Sequence, residues 1–243
     1  MKNIKKYIRS NSTLAEGIIL LVGIILALCG TYLWSNAIVS AIGASIIASA
    51  IVVFMTDVFI GDNTHESVNK WGLEAIYTTR GEMNSSCDIY LKRAKYISII
   101  AFGLRSLRDT QQRQIERILK RGGSIRIITM EPRCNNLRER EIDERQSEDS
   151  ISYSIEQLID WGRTLNSRKY KGRIEIRFHN RQPLDFLFLM DNRLFTGPYE
   201  YGKNSQQTIS FEYSHTGSAY EYYKNYFNEL WNDKEFCKNA FKE

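Results

Sequence analysis

The sequence predicts a mixed α/β domain, a sheet flanked by helices, behind an N-terminal two-helix transmembrane hairpin. Three observations carry that prediction. Residues 14–60 hold two apolar runs with only Ser35 and Asn36 between them. Between about residues 96 and 178, β-branched apolar runs alternate with helical patterns, which argues for a sheet with helices packed on it. After Asp185 the strand-like runs follow too closely for helices to intervene, so that part is expected to be antiparallel.

In the hairpin, Leu14 to Trp34 and Ala37 to Ile60 each reach the roughly 20 apolar residues that cross a bilayer core as a helix. No charged residue occurs from Gly17 to Thr56. Without water the backbone must satisfy itself, so both runs should be helical. Lys2, Lys5, Lys6 and Arg9 precede the first run without an acidic residue, which by the positive-inside rule holds the N-terminus in the cytoplasm. Two passes return the chain to the same side, giving a two-pass inner-membrane protein with both termini cytoplasmic. Glu16 and Asp57 fall at the cytoplasmic ends, and Tyr32 and Trp34 suit the far interface. No small-x-small cleavage site follows the first run, and bulky Leu28 before Cys29 argues against a lipoprotein anchor.

Small residues recur on both spans. Gly23, Ala27 and Gly30 form a stripe on the first, while Ala41, Ser45 and Ser49 lie beside Ser40, Ala44 and Ala48 on the second. Such residues let helix backbones approach closely in lipid. They can close the hairpin on itself, and the second helix can also pack against copies of the chain, making a homo-oligomer in the bilayer.

The expected divisions are a basic N-terminus (1–13), the hairpin (14–60), a juxtamembrane coupling helix (61–84, with Val68, Trp71, Ala75 and Ile76 at helical spacing) and a cytoplasmic domain (85–243). About 180 residues outside the hairpin suffice for one domain with a sizeable core. The net charge of +5 is spread along the chain. Cysteines 29, 87, 134 and 237 have neither C-x-x-C spacing nor nearby histidines, so reduced thiols without a metal or cofactor are expected. Helices are expected at about 85–94, 110–120 and 136–165, the last broken near 147–150, and strands at 96–102, 125–130 and 174–178. Strands at 185–190, 193–195 and 208–213 and a closing amphipathic helix over 219–239 complete the domain.

Ala94 to Leu107, Arg121 to Ile128, Leu187 to Pro198 and Tyr226 to Trp231 together resemble a single phospholipase D-like domain, over about residues 85 to 235. The resemblance implies a mixed sheet between helices and, in active members, an H-x-K-x4-D motif at the strand holding Asp185 to Asp191. Setting its aspartate on Asp191 places Leu184 at the histidine and Phe186 at the lysine. The phosphate-attacking imidazole and its cationic partner are both missing. His179, Arg181 and Asp185 do not substitute: the spacing is one short and arginine replaces lysine. Gly197-Pro198 also departs from the Gly-Ser of active members, and Asp191 beside Asn192 reads as a turn residue.

A fold without its nucleophile can still bind what its relatives cut. Arg105, Ser106 and Arg108 follow the first strand, and Arg133, His179 and Arg181 follow others; converging, they would hold a nucleotide, nucleic acid or phospholipid headgroup. The layout resembles two-transmembrane effectors of bacterial anti-phage systems, including those of retrons and cyclic-nucleotide signalling. That resemblance implies as partner a reverse transcriptase with its nucleic acid, or a nucleotide signal, and as output a toxic membrane leak in abortive infection. A membrane-bound phosphodiesterase or nuclease, and a passive tether for a nucleic-acid complex, are the alternatives.

Overall fold

The computed structural model describes residues 18–33, 36–56, 68–181, 183 and 185–241, as two units divided after Ser67. In the first unit, helix α1 covers residues 18–28 and continues as a π-helical turn, Cys29–Leu33; helix α2 is Ala37–Thr56. By length and composition α2 can cross a membrane, and Ile18–Tyr32 is a shorter apolar helix. The turn is pinned by Asn36, whose N–H donates to Gly30 O (2.8 Å) and whose Oδ1 caps α2 at Ile38 N (3.0 Å). The Thr31 and Ser40 hydroxyls hydrogen-bond across the pair at 3.0 Å.

Gly23, Ala27 and Gly30 do face the partner helix: Gly30 meets Ser40, the first residue of one stripe on α2, while Gly23 and Ala27 meet Gly43, which neither stripe contains. A Cβ on Gly43 would stand 2.3 Å from Ala27 N, and one on Gly30 2.4 Å from Ser40 N. Hydrogen in place of a methyl is what lets the backbones touch there. The stripe Ala41, Ser45 and Ser49 is exposed and lines an open groove with Ile38, Ile42 and Ile46 of α2 and Ile19 of α1; Ala44 and Ala48 are likewise exposed. Glu16, Trp34, Asp57 and the basic N-terminus lie outside the described residues.

The second unit is an eight-stranded mixed sheet in the order β1-β7-β6-β5-β2-β3-β4-β8. Its elements are β1 Leu73–Tyr77, α3 Arg80–Leu91, β2 Tyr96–Ile100, α4 Arg105–Asp109, α5 Gln112–Lys120, β3 Ser124–Met130, α6 Asn135–Asp143, α7 Ser150–Ser167, β4 Arg173–His179, β5 Asp185–Met190, β6 Arg193–Pro198, β7 Ser210–Ser214, α8 Ser218–Asn232 and β8 Lys238–Asn239. Strands β2, β3 and β4 are parallel through helical crossovers; β5, β6, β7 and β1 continue antiparallel, as the spacing after Asp185 predicts. Helices α6 and α7 are separate, with the interruption over 144–149.

The coupling helix expected over 61–84 is corrected where it can be seen. Residues 68–71 are helical, but Gly72 at φ +75° ends the turn and Leu73–Tyr77 pairs with β7 as a strand. Its alternation of half-buried and exposed residues is the period of two that a strand shows, and Tyr77 locks it down by donating to Glu212 Oε2 at 2.6 Å. The closing helix stops at Asn232, and Lys238–Asn239 adds an edge strand to β4.

Strand parity divides the core. Ile97, Ile99, Ile125, Ile127, Ile174, Ile176, Phe186 and Phe188 pack one face against α3, α5 and α7. Ile100, Ile128, Leu187, Leu189 and Leu194 pack the other against Ala219, Phe227 and Trp231 of α8. The sheet is thus sandwiched between helices, and a residue's parity decides which side its chemistry appears on.

Candidate functional site

The carboxyl ends of β2, β3 and β4 and the amino end of β5 share one edge of the sheet, where the chain leaves strands for loops. Two cavities open there, one on each face. The first, about 280 Å³, lies on the α3 side and is lined by Arg80, Phe102 to Leu107, Phe186, Tyr199 and the 204–206 turn. Close backbone approach shapes its wall: a Cβ on Gly103 would meet Ser154 Oγ at 2.1 Å, and Leu104 adopts φ +48° to start α4. The second, about 370 Å³, lies on the α8 side and is lined by His179, Arg181, Asp185, Tyr222, Tyr226 and Phe236.

The six expected phosphate contacts do not converge. Arg105 and Ser106 line the first cavity, and the Arg105 side chain makes no ion pair or hydrogen bond among the described residues. Arg108 turns back to Asp109 (2.8 Å) and donates to Ser154 O (3.2 Å). Arg133 points to solvent and pairs with Glu156 at 3.0 Å. His179 and Arg181 belong to the second cavity. The reason is parity: in β4, Ile174 and Ile176 face the α3 side, so His179 faces α8.

His179 is only 4 % exposed, accepts from Arg181 N–H through Nδ1 (3.3 Å) and stacks on Phe236 with centroids 5.2 Å apart. Burial lowers its pKa to about 4, so the ring is neutral at physiological pH. Burial raises the Asp185 carboxyl above the ordinary value. Asp191 lies in the β5–β6 turn, as an Asp-Asn pair suggests, and does more: its carboxylate accepts from Lys95 N (2.7 Å) and Tyr96 N (2.8 Å), tying the start of β2 to the end of β5. Leu184 lies outside the described residues; Phe186 is buried at 4 % exposure under the first cavity.

The residue that sequence reasoning missed is Arg80, the first residue of α3. It is 7 % exposed and lays its guanidinium over the Phe186 ring, 3.7 Å from the centroid, with Tyr199 at 4.9 Å. Its Nη2 donates to Thr208 Oγ1 at 3.3 Å, while Nε, also buried, has no acceptor. Burial lowers its pKa from the ordinary arginine value. Beside it, Arg140 and Glu144 form a buried ion pair at 2.6 Å, with side chains 1 % and 3 % exposed. Nothing local in the sequence marks Arg80, because its aromatic partner is over a hundred positions away. Among the described residues no group of three His, Cys, Asp or Glu side chains is placed to hold a metal ion.

No protein-family model matches the sequence, and no curated protein matches it. Solved structures do. TrmBL2, described as an archaeal chromatin protein with a novel mode of DNA binding, is 14 % identical with a TM-score of 0.43, over 81 % of this chain and 70 % of that one. Nuc from Salmonella typhimurium, a phospholipase D family member, is 13 % identical with a TM-score of 0.43, over 69 % of this chain and 99 % of that one. Phosphatidylserine synthase from Haemophilus influenzae Rd KW20 is 10 % identical with a TM-score of 0.46, over 82 % of this chain and 47 % of that one.

Proposed function

We propose that this chain is a non-enzymatic, two-pass membrane effector of a bacterial anti-phage defence system, retron-like in layout. Its phospholipase D-like sheet domain binds a partner or a phosphate-containing ligand in the cytoplasm, and its hairpins associate to permeabilise the inner membrane. The observation that carries the non-cutting half is the first cavity. Among the described residues its lining includes neither histidine nor lysine, and at the position where the sequence resemblance expects the lysine the Phe186 ring lies beneath Arg80. Phosphodiester cleavage of that type needs an imidazole nucleophile, whereas binding needs only the cationic wall.

The membrane half is supported by the hairpin. Its internal contact uses Gly23, Gly30 and Gly43, which leaves Ala41, Ser45 and Ser49 free to meet another copy. The test is dye entry into cells expressing the full chain, compared with Ser45→Leu and Ala48→Leu. Both substitutions should abolish leakage while the protein stays in the membrane fraction. Undiminished leakage, or full function after replacing the hairpin by an unrelated one, removes the effector reading and leaves the tether. Hydrolysis of nucleic acid or phospholipid by the purified chain that is lost in His179→Ala removes the non-enzymatic reading.

A further inference from the structure

We infer that the first cavity takes the terminal phosphate of a mononucleotide-sized monoester, with Arg80 supplying the counter-charge. The inference rests on the reading of the sheet domain as a ligand sensor and names the group that it senses. Buried charges are normally paired, yet Arg80 forms no ion pair among the described residues. The acid nearest to hand, Glu144, is already held by Arg140 and by Ser205 Oγ. Two buried guanidiniums face one carboxylate, so one positive charge stands uncancelled. The Phe186 and Tyr199 rings hold the guanidinium in place and Nη2 is taken by Thr208, which leaves the buried, unpartnered Nε as a donor for an oxygen acceptor.

The mouth adds to this. Arg105 is exposed, unpaired and on the same lining, so the cavity offers two positive charges to one ligand. A phosphomonoester carries close to two negative charges at neutral pH and a diester one, so the charge balance favours the monoester. The amides of Asn84 and Gln206 stand on the lining, Asn84 Nδ2 donating to Gln206 Oε1 at 3.2 Å, which leaves the Asn84 Oδ1 and Gln206 Nε2 edges for a ligand, and Met83 and Phe188 add apolar surface. A volume of about 280 Å³ lies at the small end of ligand cavities, which suits a single nucleotide.

The experiment is calorimetric titration of the full chain in detergent with inorganic phosphate, AMP and 3′,5′-cyclic AMP. AMP and phosphate should bind, with AMP at least about tenfold tighter than its cyclic diester, and Arg80→Gln should weaken AMP about tenfold or more. Equal affinity for the two nucleotides, or an unchanged affinity in Arg80→Gln, overturns the inference. Should Arg80→Gln fail to fold, Ser106→Trp, which changes an exposed residue at the mouth and leaves Arg80 in place, should block AMP; unaltered binding there overturns it equally. Leakage without binding of any of the three probes overturns the inference alone. Binding without leakage keeps it and removes the effector reading.

Discussion

His179 shows how one side chain's setting outweighs its identity. The sequence offers it with Arg181 as a phosphate contact, but burial against Phe236 keeps the ring neutral and its Nδ1 is occupied by Arg181 N–H. Its folded pKa, about 4, lies below the unfolded value of 6.5, so between those values the unfolded chain binds the extra proton. Stability from this group is therefore complete above about pH 6.5 and is lost as pH falls through about 4, by up to about 3 kcal/mol. His179→Phe should flatten that stretch of the stability–pH curve, measured by denaturant melts from pH 4 to 7. What was legible at this scale was parity: counting in twos from Ile174 already sends His179 to the face opposite Ile176. Arg80 was not legible, since its value lies in a ring brought to it by the fold.

At the scale of elements, the hydrophobic period served well where it was long and failed where it was short. Strands β2–β4 follow from runs of β-branched residues, β5–β7 from closely spaced apolar and aromatic runs, and the split between α6 and α7 from the polar 147–150 stretch. Trp71, Ala75 and Ile76 fit a helix as well as a strand, and the conformation of Gly72 decided between them. On α2 the small residues were visible, but not that Gly43 would share the contact with Ser40. Backbone contact recurs at the amino edge of the parallel strands, where a Cβ on Gly172 would lie 1.8 Å from Gly123 O, and one on Gly123 2.3 Å from Lys95 O. Gly172→Ala should cost about 2 kcal/mol in chemical denaturation through this overpacking. Gly81→Ala, in α3 with only Thr79 Oγ1 nearby at 3.7 Å, should instead gain about 0.5–1 kcal/mol from helix propensity.

At the scale of the whole chain, an apolar helix pair and a mixed-sheet unit are two separate units that follow one another in the sequence. Alkaline carbonate washing should leave the full chain in the membrane pellet, and deletion of residues 14–60 should release it to the supernatant. Recovery of the intact chain from the aqueous phase would remove the membrane reading. The first strand of the second unit is β1, which is five residues long, irregular between Leu73 and Ala75, and bonded on one side only, to β7. β1 is thus the edge of the sheet farthest in strand order from β8, four strands from the isoleucine-rich β2. Peeling β1 away would break one ladder, whereas freeing β2 or β3 from the middle of the sheet would break two.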